Sequence, residues 1–300
     1  MSSAFVNVSL FSLFWAIQIF ISKVGYRAGA EVVPFTIQTN FFAILLITLY
    51  VLIFKRASLK QLTLYTLSGL VIANAIHNGF GSFFSNAGIS LTTAINAGFL
   101  IQFTTVTTSL LAWTILKERM TLSKAITIAA IMVGTFLLVT KGQMITPHIG
   151  DVLLLLACLS WSTGNVLVKK IVSKHPVDND AVTFLRPIAE VPVFLGFIMA
   201  APLYPVTTQK MFQANIFDIH YLGYAFLNGF FVILLWIFLN RTLKVASASY
   251  MTMMSSLTPV LVALLAIAFL HESLEPIQWG GVFIIIISSY VTQIINIEKH

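Results

Sequence analysis

Charged side chains are scarce in this chain of 300 residues, and their scarcity excludes a water-soluble fold. Asp, Glu, Lys and Arg make up 9% of the sequence, whereas a soluble domain contains about 25%. Hydrophobic residues make up 58%, and the mean hydropathy is +0.93. Because so few charges cannot cover a surface that faces water, the surrounding solvent must be largely lipid. The sequence therefore predicts a membrane protein.

Cysteine is nearly absent, since Cys158 is the single thiol and lies inside an apolar run. One cysteine cannot form an intramolecular disulfide, so a disulfide framework is excluded. Lys and Arg are also missing ahead of the first apolar run, residues 4–25. A signal peptide requires a basic segment there and a shorter apolar region. We therefore expect residues 4–25 to be a retained membrane span.

Enzyme motifs are lacking as well. The segment HESLE at residues 271–275 starts like the zinc motif HExxH, but Glu275 stands where the second His is needed. No glycine-rich phosphate loop, Walker lysine or Ser/His/Asp set is apparent in the sequence. The net charge of +7 comes from basic residues scattered between apolar segments, without a basic face for nucleic acid. The sequence predicts no enzyme, no cofactor, no metal site and no nucleic-acid partner.

Apolar runs of roughly 20 residues recur along the chain, each long enough to cross about 30 Å of hydrocarbon as a helix. A transmembrane β-strand would be about 10 residues long with alternating polarity, so helices are expected. The predicted fold is an all-α polytopic membrane protein with ten transmembrane helices. Their expected boundaries are residues 4–25, 34–54, 64–87, 92–116, 122–140, 150–172, 182–202, 219–240, 246–270 and 277–296.

The basic residues between these runs predict the orientation of the chain, because cytoplasmic loops carry an excess of Lys and Arg. Twelve of them fall on the side of the two termini: Lys55, Arg56, Lys60, Lys117, Arg119, Lys124, Lys169, Lys170, Lys174, Arg241, Lys244 and Lys299. Four fall on the other side: Lys23, Arg27, Lys141 and Lys210. We therefore expect a multi-pass protein of the inner (plasma) membrane with both termini in the cytoplasm.

The chain contains two related halves, with expected limits at residues 1–145 and 146–300. An offset of 154 positions pairs Asn86 with Asn240, Ala94 with Ala248, Thr104 with Thr258 and Glu118 with Glu272, and an offset of 146 pairs Trp15 with Trp161 and Lys23 with Lys169. The difference of eight residues falls in the loop from Pro202 to Asp218. Because each half has five spans, an odd number, the second half is predicted to be inverted, as in many secondary transporters.

The two glutamates of this repeat each end an apolar run in the pattern Leu-x-Glu. We interpret Glu118 and Glu272 as structural residues, at which a helix ends because a charge has reached the membrane interface. The neighbouring Lys117 and His271 would help to anchor those ends. A role in substrate binding is the less favoured alternative.

Two segments at equivalent places in the halves carry a family resemblance. TPVLVALLAIAFLHESLEPIQWGGVFIIIISSYV (residues 258–291) resembles the last two helices of an EamA-type member of the drug/metabolite transporter superfamily, and TTVTTSLLAWTILKERMTLSKAITIAAIMVGTFLLVTKG (residues 104–142) resembles the first-half copy. The helices with Trp15 and Trp161 and the FLR of residues 184–186 also fit, so the resemblance covers essentially the whole chain. It implies export of amino acids or related compounds, through proton exchange or gradient-driven flux.

The sequence departs from the family pattern at two positions of the first half. Thr105 stands where Pro259 of the second half predicts a proline. Asn40 stands where the family often has an arginine, as the second half has at Arg186. Strict functional symmetry between the halves is therefore not expected.

Ionisable residues inside a membrane span are functional candidates, because they are costly to keep there. Arg186 and Glu190 lie four positions apart in the seventh run, so they share a helix face and could form a pair. Such a pair could bind a zwitterion or exchange a proton, with Arg186 meeting a substrate carboxylate. Alternatively, Arg186 extends to the cytoplasmic rim. Glu190 lies deeper, where that explanation is weaker.

The third run carries Asn74, His77, Asn78 and Gly81 at spacings that predict one helix side. His77 could titrate near neutral pH, and we name it with Glu190 as a candidate for proton coupling. The alternative is that His77 and Asn78 only form hydrogen bonds to neighbouring helices.

Other polar and aromatic residues are predicted to line a central substrate site. The repeat matches Trp15 and Gln18 with Trp161 and Asn165, and two such pairs could flank a cavity. The other buried amides are Asn96, Gln102 and Asn228, for which bonding between helices is the alternative. The resemblance, not the spacing, implies that Trp236, Tyr250 and Met254 face the cavity.

We predict a secondary transporter that moves small organic metabolites by alternating access, with amino acids or related compounds as exported substrates. The partners would be the lipid bilayer, the substrate and protons, and the chain would act as a monomer, with a dimer as the alternative. An exchanger of sugar phosphates or nucleotide sugars is a second candidate, and a channel or an intramembrane enzyme is a third.

Overall fold

The computed structural model describes residues 3–92, 97, 99–144, 146–200, 219–270 and 273–297. Within these ranges the protein is helical and has no β-strand. Thirteen α-helices, one π-helix and one 3-10 helix follow one another: α1 Ser3–Arg27, α2 Val32–Phe54, α3 Arg56–Leu59, α4 Leu64–Asn74, the π-helix Ala75–Phe80, α5 Gly81–Ser90, α6 Phe103–Ile115, α7 Leu122–Thr140, α8 Ile149–Lys174, α9 Asn179–Ala200, the 3-10 helix Ile219–Tyr221, α10 Leu222–Val245, α11 Ala248–Ser255, α12 Leu257–Leu270 and α13 Pro276–Ile297.

Eight helical segments of the described chain are long and apolar enough to cross a membrane. They are α1, α2, α7, α8, α9, the 3-10 helix with α10, α11 with α12, and α13. The expected third span is the unbroken helical stretch of α4, the π-helix and α5. From the expected fourth span, the 13-residue helix α6 is described, together with residues just before it. The chain is therefore an all-helical, multi-pass membrane protein.

Three helices start at polar residues that cap them. The side chains of Thr63, Thr121 and Ser247 accept hydrogen bonds from the backbone N–H three residues later, at the starts of α4, α7 and α11. The first N–H groups of a helix have no partner inside it, and each such cap contributes about 1 kcal/mol. These short polar residues therefore fix where three spans begin.

One end of the bundle brings together the end of α2, the start of α4, the end of α8 and the start of α9. There Lys55 lies 4.0 Å from the Asp180 carboxylate, and the rings of Tyr65 and His175 are 5.4 Å apart. We call this end the basic face, because it carries most of the lysine and arginine residues between spans.

The opposite face joins the other ends of the spans. The Lys141 ammonium at the end of α7 lies 2.7 Å from the Glu275 carboxylate ahead of α13. The Thr92 hydroxyl donates to the Asp151 carboxylate at the start of α8. The described contacts therefore place the residues after the second and sixth expected spans at one face, and those after the third, fifth and ninth at the other.

The expected fourth and ninth spans are both interrupted, and at equivalent positions. A turn at Ile101 and Gln102 precedes α6, and Ser256 separates α11 from α12. Gln102 and Ser256 are 154 positions apart, which is the repeat offset. In the ninth span Pro259 removes a backbone donor just after the break, whereas the fourth span breaks without a proline. The loop at residues 202–218 and the residues His271 and Glu272 lie outside the described chain.

Candidate functional site

The third span changes from α- to π-helix at its centre, where the candidate residues His77 and Asn78 lie. The six residues Ala75–Phe80 form this turn, which packs against α8 and α9. A π-helical turn inside an α-helix is rare and is frequently found at functional sites. The geometry singles out the meeting point of the third, sixth and seventh spans.

His77 is bonded to the backbone of the sixth span. Its Nδ1 lies 2.9 Å from the carbonyl oxygen of Trp161. Because a carbonyl only accepts hydrogen bonds, Nδ1 must carry the proton in this contact. In neutral His77 the lone pair is therefore on Nε2, which is the nitrogen left to take up a proton.

Two glycines let the sixth span approach the π-helix this closely. A Cβ atom on Gly164 would lie 2.4 Å from the His77 Cβ and 2.6 Å from the Ala73 carbonyl oxygen. A Cβ on Gly81 would lie 2.3 Å from the indole Cδ1 of Trp161. Both distances are far below van der Waals contact, so the positions of His77 and Trp161 depend on the absence of a side chain at each glycine.

Arg186 is completely buried and is held by the eighth span. Its exposed fraction is 0%, and its Nε and Nη2 donate to Oδ1 of Asn240 at 3.0 and 2.6 Å. Asn240 in turn donates through Nδ2 to the Thr183 hydroxyl at 3.0 Å. The remaining nitrogen, Nη1, is buried without a hydrogen-bond partner. The guanidinium is fixed in place with one donor group unused.

Arg186 neither reaches the rim nor pairs directly with Glu190 in the structure. The side chain does not extend to the rim, since it is 0% exposed. It also makes no ion pair with Glu190 among the described contacts, because it turns to Asn240 on α10. Glu190 is 5% exposed, and the Ser82 hydroxyl of α5 is close enough to interact with its carboxyl group. These two ionisable side chains thus lie one turn apart, and each contacts a different helix.

Further polar atoms around the π-helix are buried without partners. Both amide atoms of Asn74, Nδ2 of Asn78 and Oδ1 of Asn165 make no hydrogen bond. An unpaired buried polar atom costs about 1–3 kcal/mol, and native proteins usually satisfy such atoms with water or a ligand. His77 and Arg186 also lie close enough to interact electrostatically. This group of side chains is suited to binding a polar molecule.

These residues lie at successive depths below the basic face. Arg186 is 7 residues and Glu190 is 11 residues beyond the start of α9, and Asn165 is 9 residues before the end of α8. At 1.5 Å per residue, these positions lie about 10, 16 and 14 Å along the helix axes. His77 is 13 residues into the third span, roughly 20 Å along it. The polar group therefore extends from below the basic face to the middle of the bundle.

The candidates of the first and eighth spans form a separate, closed network. Gln18 Nε2 donates to the Ser22 hydroxyl at 3.2 Å, and that hydroxyl lies 3.4 Å from Oδ1 of Asn228. Asn228 Nδ2 donates to the Thr39 hydroxyl at 3.1 Å. Trp15 lies nearby on α1, with its ring 5.4 Å from that of Phe11. These bonds join α1, α2 and α10, which favours the interhelical role for Gln18 and Asn228.

The remaining candidates lie apart from the π-helix. Trp236, Tyr250 and Met254 are buried in the main hydrophobic core, and the Tyr250 hydroxyl donates to the amide oxygen of Gln293. Gln102 lies at the break before α6. Asn96 lies outside the described residues.

Sequence reasoning missed several residues that shape the site. Asn240 was identified only as the repeat partner of Asn86, and the partners Thr183 and Ser82 gave no signal at all. A buried arginine requires acceptors, so a polar residue on an adjacent span could have been sought for Arg186. The depth of Asn240, five residues before the end of α10, would have selected it.

Comparisons with known proteins add the following findings. The sequence model of the EamA-like transporter family matches the chain twice, at residues 3–140 and 148–294. An uncharacterized transporter of Archaeoglobus fulgidus is 26% identical over 214 residues, which is 71% of this chain and 65% of that protein. The chain thus matches somewhat less than two thirds of that relative's length. One solved crystal structure has a TM-score of 0.76 at 17% identity, covering 100% of this chain and 99% of the other. That likeness shows the fold alone.

Proposed function

The chain belongs to the EamA-like transporter family, and we propose that it is a secondary transporter of amino acids or related small carboxylates. The membrane-spanning fold and the family make it a membrane transporter. The observation that carries the substrate class is Arg186, a buried cation fixed by Asn240 with Nη1 unpaired. A substrate carboxylate would supply both the missing acceptor and the counter-charge.

Glu190 extends this argument from carboxylates to zwitterions. Arg186 and Glu190 are four residues apart on α9, so their Cβ atoms are about 6 Å apart. They are not paired with each other, and each is buried. An amino acid presents a carboxylate and an ammonium group within a few ångströms of each other. The two side chains match those charges in sign and in spacing.

Exchange of sugar phosphates is the second candidate and has less support. Four charged side chains are buried among the described residues: Lys124, Asp180, Arg186 and Glu190. Lys124 and Asp180 lie at helix starts, which leaves one cation and one anion deep in the spans. A dianionic phosphate would face a single guanidinium and a nearby carboxyl group, which is an unfavourable balance of charge.

Proton exchange is the proposed energy source, with Glu190 and His77 as the groups that carry the proton. Glu190 has no cationic partner in the described contacts, and His77 has its Nε2 available for protonation. Either group could bind a proton in one conformation and release it in the other. Export through this coupling, in the inner membrane with the basic face in the cytoplasm, completes the proposal.

The proposed architecture is ten spans in two inverted halves, residues 1–145 and 146–300, that rock against each other. The matching breaks at Gln102 and Ser256 support it. A similar hydrogen bond does so as well: Asn86 Nδ2 donates to the Thr36 hydroxyl at 3.4 Å, as Asn240 donates to Thr183, although Thr36 lies one position from the exact repeat equivalent of Thr183. One such chain holds both halves, so a monomer suffices.

The proposal is tested by expressing the protein in bacteria and measuring which metabolites accumulate in the medium. Cells with the intact protein should enrich an amino acid or a related carboxylate outside, and cells with Arg186→Gln should not. The matched control is Arg241→Gln, an exposed arginine on α10 next to Asn240. Saturable counterflow in proteoliposomes would separate a carrier from a channel. Enrichment of phosphorylated sugars instead would favour the second candidate, and product formation without translocation would indicate an enzyme.

A further inference from the structure

Glu118 is bonded to the start of a helix from the other half of the chain. Its Oε1 accepts from the Ala248 N–H at 2.8 Å. Its Oε2 accepts from the Ser249 hydroxyl at 2.6 Å and the Ser249 N–H at 3.3 Å. Ser247 caps the next N–H of α11. One carboxylate therefore satisfies the first two donors of α11, where the helix dipole also favours a negative charge.

The turn after α6 aims Glu118 at this neighbour. Lys117 adopts a left-handed backbone conformation with φ of 57°, and the Glu118 N–H donates back to the Ala112 carbonyl at 3.1 Å. Helices often end at a residue in this left-handed conformation, and glycine usually takes the position. The interpretation of Glu118 as an anchor at the membrane interface was therefore incomplete.

α6 and α11 contact each other at two levels. The Glu118 contact lies at the basic face. Deeper in the bundle the Thr105 hydroxyl donates to the Thr252 carbonyl at 3.4 Å. Both helices are short, because the fourth span is interrupted before α6 and the ninth span after α11. Breaks of this kind at helix ends are where hinge motions are absorbed. α6 and α11 are thus two short helices that can move relative to each other, and at the basic face the Glu118 carboxylate joins them.

We propose that the contact of Glu118 with Ala248 and Ser249 closes the basic face of the transport path and breaks each time that face opens. This inference rests on the proposed transport by alternating access. Glu118 is only partly buried, so water can replace its three hydrogen bonds when α6 and α11 separate. A charged contact of this kind holds a closed state firmly without making its opening prohibitive.

The test measures how accessible the interface between α6 and α11 is. Thr252, one turn inside α11 from Ala248 and 3% exposed, is replaced by cysteine in a Cys158→Ser background. A membrane-impermeant maleimide is then added to each side of oriented vesicles, without substrate. In the closed protein, labelling from the basic face should be slow. Glu118→Ala should raise its rate roughly fivefold or more, since the closed state loses a charge-assisted contact.

Two further variants and a control make the result specific. Glu118→Gln should raise the rate less, because its amide oxygen still accepts one N–H, and Ser249→Ala should have an intermediate effect. Glu275→Gln is the matched control, since it removes a carboxylate that bonds to Lys141 at the opposite face, and it should leave the rate unchanged. If Glu118→Ala does not fold, the comparison of Glu118→Gln and Ser249→Ala with this control decides.

The proposal is overturned if the Glu118 variants lower the melting temperature and leave labelling of residue 252 unchanged. That outcome would make Glu118 a permanent cap. Because labelling requires no substrate, the two proposals can fail separately. Faster labelling with no transport by the intact protein would reject the proposed function alone. Transport with unchanged labelling would reject the Glu118 contact as a closing device.

Discussion

Arg186 on α9 and Asn240 on α10 form a two-point contact in which Nε and Nη2 of the guanidinium share one amide oxygen, at 3.0 and 2.6 Å. The Asn240 side chain carries no charge, so the positive charge of Arg186 remains uncompensated inside the bundle. A neutral partner fixes the orientation of the guanidinium without cancelling its charge. An arginine paired with a carboxylate would have far less affinity for an anionic substrate.

Replacing Asn240 by leucine should therefore weaken substrate binding indirectly, because the Arg186 guanidinium would lose the residue that orients it. Hydrogen bonds to charged groups contribute about 1.5–3 kcal/mol, so Asn240→Leu should lower the melting temperature and reduce transport at least severalfold. Thermal unfolding in detergent and counterflow in proteoliposomes measure the two effects. Asn240→Asp is the informative partner: it should keep the protein folded and abolish transport, because the carboxylate neutralises Arg186. Full transport by Asn240→Asp would contradict the assigned role.

Glu190→Gln should allow substrate exchange but abolish its coupling to the proton gradient. The amide has nearly the same shape and can still accept a hydrogen bond from the substrate ammonium, but it cannot release a proton, so exchange of substrate for substrate should continue at a lower affinity. Accumulation driven by an imposed pH gradient should fall to the level of empty liposomes. Both are measured in the same proteoliposome preparation. Persistent gradient-driven accumulation in this variant would rule out Glu190 as the coupling group.

His77 can be tested with a variant that keeps its hydrogen bond. In His77→Asn the side-chain amide can still donate to the Trp161 carbonyl, as Nδ1 does now at 2.9 Å, but it does not titrate. The variant should remain as stable as the parent and lose the part of the pH dependence of transport that His77 supplies. His77→Ala loses both functions and should also be less stable. If His77→Asn has the parent's pH profile, the histidine only joins the helices.

Gly164→Ala should push the sixth span away from the π-helix. Its new Cβ would lie 2.6 Å from the Ala73 carbonyl oxygen. A backbone carbonyl group cannot rotate out of the way as a side chain can. Overpacking of this kind costs typically about 1–3 kcal/mol, so the melting temperature should fall and transport should decline. Gly196→Ala on α9 is the control, because a Cβ there has nothing within 4 Å. Equal behaviour of the two variants would refute the close approach.

Much of the fold could be predicted, because a span needs only length and hydrophobicity to be recognised. Eight expected spans match described segments that are long and apolar enough to cross a membrane, and the third matches the stretch from α4 to α5, with boundaries that differ by a few residues. Contacts between helices were harder to predict than the spans themselves. The spacing of Arg186 and Glu190 places them on one helix face, yet Arg186 bonds to Asn240, which lies 54 positions away in the sequence. Sequence periodicity gives the depth of a residue and its side of a helix, but not which helix that side meets.

Two features of the structure, the π-helix and the Glu118 contact, have no recognisable pattern in the sequence. The π-helix contains ordinary residues, and its insertion changes which side chains share a face, so the predicted alignment of Asn74 with Gly81 does not carry through the turn. The Glu118 contact depends on a left-handed lysine at position 117, where a glycine would have been the recognisable signal. Both features come from packing between distant parts of the chain, which overrides local preference.

The π-helix also makes the third span sensitive to the exact number of its residues. A π-turn closes its hydrogen bonds over five residues where an α-helix uses four, so this segment holds one residue more than a regular helix of the same length. Deleting any one residue between Ala75 and Phe80 would allow an uninterrupted α-helix. Because the π-turn accommodates this residue locally, the helices on either side would keep their positions, and Gly81 would remain against Trp161. The side chains within the turn would be displaced, so His77 would lose its contact with the Trp161 carbonyl. A single-codon deletion would here remove the site and leave the span intact.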